Sequence, residues 1–152
     1  MYMVTAPPAD NGRLGAWSKE KKVAERREKA LKIIEKMLPQ IVGTMSEKSA
    51  SRGFGGEMAD FSLNGVFVPL WTDDRLDLRT RSLVTVAMLV AQGSQDELYM
   101  HVPAAIRNGA TISEVEQVLY QATAYVGLPR ASSGRNIAAK ALRDAGMLSD
   151  DA

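Results

Sequence analysis

The sequence predicts an all-α, single-domain helical bundle, and three observations carry that expectation. No stretch alternates apolar and polar residues with a period of two, so no strand is predicted. Apolar residues recur instead every three to four positions through most of the chain. Two Ser/Thr-x-x-Glu signatures follow one another, Ser94 with Glu97 and Thr111 with Glu114. In each, hydroxyl and carboxylate can satisfy two free amides at a helix N-terminus. The length, 152 residues, suits one domain with one sizeable core.

Taken in order, residues 1–16 are rich in Pro, Gly and Asn and read as a flexible lead-in to a domain spanning 17–148. They lack a basic segment followed by an apolar one, which predicts a cytoplasmic protein. A first helix is predicted over 18–38, with Ser18 as N-cap, Val23, Ala30, Leu31, Ile34 and Leu38 on one face, and Pro39 as its stop. Its first half, "KEKKVAERREK", is basic, residues 1–36 holding nine Lys or Arg against five acidic side chains. No aromatic residues are interleaved there, so the stretch reads as a solvated helix face braced by pairs such as Glu25 with Lys29, not as a nucleic-acid surface.

Gly53 to Gly56 form a turn without phosphate-loop spacing, and a short helix follows to residue 65. "VFVPLWTDDR", interrupted by Pro69, reads as an irregular connector with one or two helical turns. Leu83 to Ala91 are apolar on nearly every side, predicting a helix buried in the domain or at a subunit contact and ending at Gly93. The Ser94–Glu97 box opens the next helix, which turns Leu98, Val102, Ala105 and Ile106 inward and stops at Asn108-Gly109. The Thr111–Glu114 box opens another, carrying Val115, Val118, Leu119, Ala122 and Val126 as far as Gly127 and Pro129. A last helix over 132–146 places Ile137, Ala138, Ala141, Leu142 and Ala145 on one side.

Composition removes several function classes. With no cysteine there is no disulfide framework, no thiolate metal site and no cysteine nucleophile. One histidine and scattered carboxylates do not make a transition-metal site. A net charge of +1 gives no general case for nucleic acid, and no apolar run reaches membrane-spanning length.

The single histidine, His101, lies one helical turn after Glu97, with Ala104, Ala105 and Asn108 along the same side. Glu97 is expected to favour the imidazolium and raise its pKa toward neutrality, as an acid–base group requires. The other reading is an imidazole tied to a buried carbonyl or to a subunit contact. Pro103 either bends the helix without consequence or shapes a pocket beside His101. Arg79 and Arg81 open the apolar helix and suit carboxylate binding, or else pair internally with Asp77, Glu57 or Asp60.

Leu76 to Ser82 (Leu-Asp-x-Arg-x-Arg-Ser), Glu97 to His101 (Glu-Leu-x-x-His), Ala105 to Gly109 (Ala-x-x-Asn-Gly) and Tyr125 to Pro129 (Tyr-x-Gly-x-Pro) together resemble the carboxymuconolactone decarboxylase family, in order and without gaps over 76–142. The resemblance implies a helical subunit in a homo-oligomer, a trimer or hexamer, with sites near subunit contacts. It implies a cofactor-independent carboxy-lyase acting on a small carboxylated lactone such as 4-carboxymuconolactone, in aromatic-compound catabolism. On that pattern His101 delivers a proton, Glu97 orients it, and Arg81 binds carboxylate or enolate, with Arg79, Phe67 and Trp71 as substrate-binding residues. The family's alkyl hydroperoxidase D-type branch uses a Cys-x-x-Cys pair where this chain has Ser94 and Glu97, so thiol peroxidase chemistry is excluded.

One stretch departs from the pattern. The decarboxylases usually carry aromatic-Gly-x-x-Trp-Ser-Arg-Pro-Gly-Leu before the Leu-Asp motif, whereas here Val68 replaces the glycine and Asp73 the first basic position. Arg75 is the nearby cation that could compensate. The departure leaves a related cofactor-free isomerase, cyclase or retro-aldol enzyme, or a non-catalytic ligand-binding oligomer, as the alternatives.

Overall fold

Six α-helices and a π-helix account for nearly all of the computed structural model, which describes residues 11–44 and 53–149, and no strand occurs among them. They are α1 (Asn11–Met37), α2 (Met58–Ser62), the π-helix (Leu63–Trp71), α3 (Leu78–Gln92), α4 (Gln95–Arg107), α5 (Ile112–Val126) and α6 (Leu128–Asp144). The all-α expectation therefore holds. No helix of the described residues is long and apolar enough to cross a membrane.

Helix α1 starts at Asn11 rather than behind Ser18, which lies inside it. No proline interrupts the chain between Asn11 and Met37, so the helix continues N-terminally past the expected cap. Residues 11–16 of the expected lead-in are thus helical, and residues 1–10 lie outside the described residues. Ala30, Ile33, Ile34, Met37 and Leu38 are buried at helical spacing. The basic half is also more than a solvated face. Lys29 Nζ donates to the Thr72 carbonyl (3.1 Å) and the Asp74 carboxylate (2.8 Å), not to Glu25. Arg26 Nε reaches Thr72 Oγ1 (3.2 Å) and Arg27 reaches Asn64 Oδ1 (2.9 Å). A carbonyl and a carboxylate presented together outcompete one exposed i,i+4 partner, and the helical pair that does form is Glu28–Lys32.

The clamped segment is the expected irregular connector, and it is an ordered π-helix continuous with α2. Its wider turn brings Phe67 and Trp71, four residues apart, onto one face with ring centroids 5.9 Å apart. Pro69 lies within the turn and is exposed.

Two apolar clusters meet at α4. One joins α3 to α6 through Val86, Val90, Leu98, Val102, Val115, Leu119, Ala138 and Leu142. The other joins α1, the π-helix and α4 through Ile34, Met37, Leu63, Phe67, Trp71 and Ala104. Being packed on both sides, α4 holds its remaining face at a fixed angle. Helix α3 is buried only at Ser82, Val86 and Val90, while Val84 and Met88 are about half exposed. Its all-round apolarity thus serves two faces, a core and the wall of a cavity.

Local signals set the ends. Asp77 caps α3 through the Thr80 amide (2.9 Å). Gly93 ends it at φ 74°, a left-handed conformation that a side chain would strain. Thr111 and Glu114 form the predicted reciprocal box on α5. Ser94 makes no capping bond, so the second predicted box is absent and Glu97 is free for another role. Helix α6 begins at Leu128, four residues before the expected start, because Pro129 in its first turn starts a helix as readily as it ends the one before.

At Gly134 on α6, an added Cβ would lie 3.1 and 3.2 Å from the Val90 methyls, tighter than ordinary contact. Val90 is 1% exposed and has no room to retreat. Gly134→Val should destabilise the bundle by about 1–3 kcal/mol, the usual cost of overpacking. A urea melt measures this, and an unshifted midpoint would mean that α3 and α6 separate freely.

Candidate active site

A cavity of about 670 Å³ opens between the π-helix, α3 and α4. Each wall follows from helical spacing. Helix α3 supplies Arg81, Val84, Thr85 and Met88 at i, i+3, i+4 and i+7, and α4 supplies Glu97, Met100 and His101 at i, i+3 and i+4. The π-helix supplies Val66, Phe67, Leu70 and Trp71, and Leu38 and Ile41 close the floor beyond α1. A larger hollow of about 810 Å³ beside Gly53–Gly56 is lined by glycines, Glu57, Asp60 and Asn64 and offers neither imidazole nor guanidinium. The cavity at His101 is the candidate site.

The His101 side chain is only 12% exposed and stacks on Trp71, the ring centroids 6.2 Å apart and the planes inclined by 27°. Its Nε2 lies 3.8 Å from Glu97 Oε2, beyond hydrogen-bond range, and its Nδ1 is buried without a partner. Burial pushes its pKa below the ordinary 6.5. This reverses the sequence expectation that Glu97 would raise it. The Glu97 side chain is 56% exposed, so water screens its charge, while Trp71 removes solvent from the imidazole. The resting imidazole is therefore neutral at neutral pH.

Arg81 is fixed by the loop ahead of α3, its Nη2 donating to the carbonyls of Asp73 (3.1 Å) and Leu76 (3.3 Å). Its Nε is buried without a hydrogen-bond partner. None of the predicted carboxylates Asp77, Glu57 and Asp60 pairs with it among the described residues, so a guanidinium stands at the cavity wall. Arg79 behaves otherwise. It forms an ion pair with Glu114 on α5, Nε to Oε2 at 3.2 Å, and is not among the residues lining the cavity, so the structure does not bring it together with the other expected substrate-binding residues.

Arg75 does not compensate for the acid at position 73. Its side chain is 90% exposed and hydrogen-bonds to the Asp73 carboxylate, holding that carboxyl well below the usual range. Pro103 is buried on another side of α4, beside Gln40, Tyr99, Arg107 and Ala141, so it shapes no pocket at His101. Behind the site, buried Asn108 donates to Ser82 Oγ (3.0 Å), which donates to the Leu78 carbonyl (2.8 Å), tying the end of α4 to the start of α3.

The structure thus brings His101, Glu97, Arg81, Phe67 and Trp71 to one cavity. Sequence reasoning missed Val84, Thr85 and Met88, although their i, i+3, i+4, i+7 register with Arg81 was a readable signal. No group of three or more His, Cys, Asp or Glu side chains among the described residues is placed to hold a metal ion.

Residues 58–140, which include nearly all of these side chains, match the carboxymuconolactone decarboxylase family. Over 94 residues the chain is 33% identical to 4-carboxymuconolactone decarboxylase of Acinetobacter baylyi, covering 62% of this chain and 70% of that protein. Over 75 residues it is 31% identical to nitrosuccinic acid decarboxylase of Metarhizium robertsii, covering 49% of this chain and about half (52%) of that protein. With a helical fold and a family match over more than half its length, the chain belongs to the carboxymuconolactone decarboxylase family.

Proposed function

We propose that the protein is a cofactor-independent carboxy-lyase that decarboxylates a small carboxylated lactone or similar acid, the class to which 4-carboxymuconolactone belongs. The observation that carries this reading is the convergence, on one largely apolar cavity, of a buried imidazole, a carboxylate and a guanidinium that no carboxylate hydrogen-bonds among the described residues. Breaking the bond to the carboxylate carbon releases carbon dioxide and sends the electron pair into the conjugated carbonyl, giving an enolate. Arg81 holds the carboxylate and stabilises the developing enolate. His101 then gives its proton to carbon and recovers one from water. Glu97, 3.8 Å from Nε2 and not hydrogen-bonded to the resting imidazole, orients the imidazolium once that forms. An anionic substrate in this desolvated space favours the imidazolium, so the neutral resting histidine becomes a donor once the cavity is filled. The matched decarboxylases support this reaction class.

In this reading the enzyme works in the cytoplasm, in aromatic-compound breakdown, as a homo-oligomer of three or six subunits. Light scattering on the purified protein tests the assembly. The reaction is tested by incubation with 4-carboxymuconolactone and a panel of carboxylated lactones and β-keto acids, following carbon dioxide. Absence of gas release from every member would remove the reading.

The lowered His101 pKa gives a pH signature. In the free enzyme the imidazolium is lost as pH rises through a value below 6.5, so kcat/KM falls above that point. In the complex the substrate anion keeps the proton on, so kcat holds to higher pH. Profiles of the two constants should show the limb of kcat displaced upward, and coincident limbs would remove His101 as donor.

A second reading rests on the neutral state of His101, which suits a base as well as a donor. An isomerase or cyclase would use the same cavity to move a proton. Product formation without gas release from the same panel would favour it.

A further inference from the structure

We infer that the cavity selects a monocarboxylic acid with a sizeable apolar body and discriminates against a dicarboxylate. This rests on the decarboxylase reading and narrows its substrate class. Before substrate enters, Arg81 is the one cation lining the cavity among the described residues, His101 being neutral. The other nearby cations are committed elsewhere, Arg79 to Glu114, Arg75 to Asp73, and Lys29 to Asp74 and the Thr72 carbonyl.

The remaining charge in the lining is negative. Glu97 offsets Arg81, so the cavity is close to neutral before substrate enters, and one bound carboxylate uses its single cation. A second carboxylate meets Glu97, where like charges repel, apolar walls, where it loses hydration without a partner, or the buried His101, which is neutral before substrate enters and must first take up a proton against its own desolvation.

The walls favour hydrocarbon instead. Val66, Leu70, Val84 and Met88 line the cavity and are 42%, 50%, 46% and 51% exposed, so an apolar substituent covering them removes hydrocarbon surface from water. The volume of about 670 Å³ lies in the range that encloses a drug-sized ligand, more than a small lactone ring fills. Asp73 in place of a basic residue fits the same preference, since its carboxylate is neutralised by Arg75 and adds no cation.

The test compares 4-carboxymuconolactone with its analogue in which a pentyl chain replaces the carboxymethyl arm. Carbon dioxide release gives kcat/KM, and calorimetry with the ring-saturated forms, which lack the electron sink, gives affinity without turnover. The single-carboxylate compound is expected to bind at least about 30-fold more tightly, the scale of one unpaired charge in a partly buried site. Met88→Arg, which adds a cation at the half-exposed rim, should narrow that ratio at least about 10-fold by improving dicarboxylate binding. Equal or tighter binding of the dicarboxylate by the parent, or no gain from Met88→Arg, overturns the inference. The two claims fail separately. Selective binding of the monocarboxylate with no gas from either compound keeps the substrate class and removes the decarboxylation. Gas release with equal kcat/KM from both does the reverse.

Discussion

His101→Ala is expected to lower kcat for carbon dioxide release by about 10²–10⁴-fold, the usual contribution of a positioned proton donor. KM should change much less, because Arg81 holds the carboxylate in this reading. The substitution is a clean probe because the fold has little invested in the imidazole. Position 101 is inside α4, where alanine is the most favourable helix former. The buried Nδ1 lacks a hydrogen-bond partner, and an unsatisfied buried polar atom costs about 1–3 kcal/mol. Removing it offsets much of the packing lost against Trp71, so the urea midpoint should stay near that of the parent. His101→Gln fills more of the space but cannot titrate, and it should be as inactive as the alanine variant. Parental kcat in both variants would show that the imidazole only packs, and a lost fold with Gln active would mark His101 as structural.

How the sequence led to this residue, and where it misled, follows from what local spacing can encode. Glu97 and His101 share a face because they are four apart on a helix, and that much is written in the chain. The direction of the His101 pKa is not, because the desolvating Trp71 arrives from a segment 30 positions earlier whose fold could not be anticipated. The apolar spacing of that segment fits a helical face, but the proline inside it reads as an interruption. Its cavity residues Val66, Phe67, Leu70 and Trp71 recur at i, i+1, i+4 and i+5, and Pro69 suggests a break where the π-helix continues.

The two arginines illustrate a signal that was present and unused. Positions 79 and 81 are separated by roughly 200° around a helix, so one cavity cannot take both. Arg81 shares its face with Thr85 and Met88, whereas Arg79 turns toward α5 and Glu114. The capping signatures show the opposite limit. Thr111–Glu114 and Ser94–Glu97 are the same pattern, yet only the first forms, and the carboxylate of the second lines the cavity. Local chemistry permits a box without compelling it.

Arg81→Met should reduce kcat/KM by about 10²–10³-fold, the scale observed when one preorganised donor to a developing oxyanion is removed. Both constants should suffer, since the guanidinium meets the carboxylate before carbon dioxide leaves and the enolate afterwards. Arg81→Lys separates charge from geometry. The arginine fork donates to the Asp73 and Leu76 carbonyls from Nη2, its Nε is buried and Nη1 is left for a carboxylate, and that anchoring fixes where the charge sits. A lysine ammonium is a single point that cannot hold the loop and meet a carboxylate with the same planar fork. Lysine should therefore recover part of KM, which depends on charge, and little of kcat, which depends on the charge being placed at the enolate. Full recovery of kcat by lysine would show that a positive charge anywhere on the wall suffices, and unchanged kinetics in Arg81→Met would move carboxylate binding to another residue altogether.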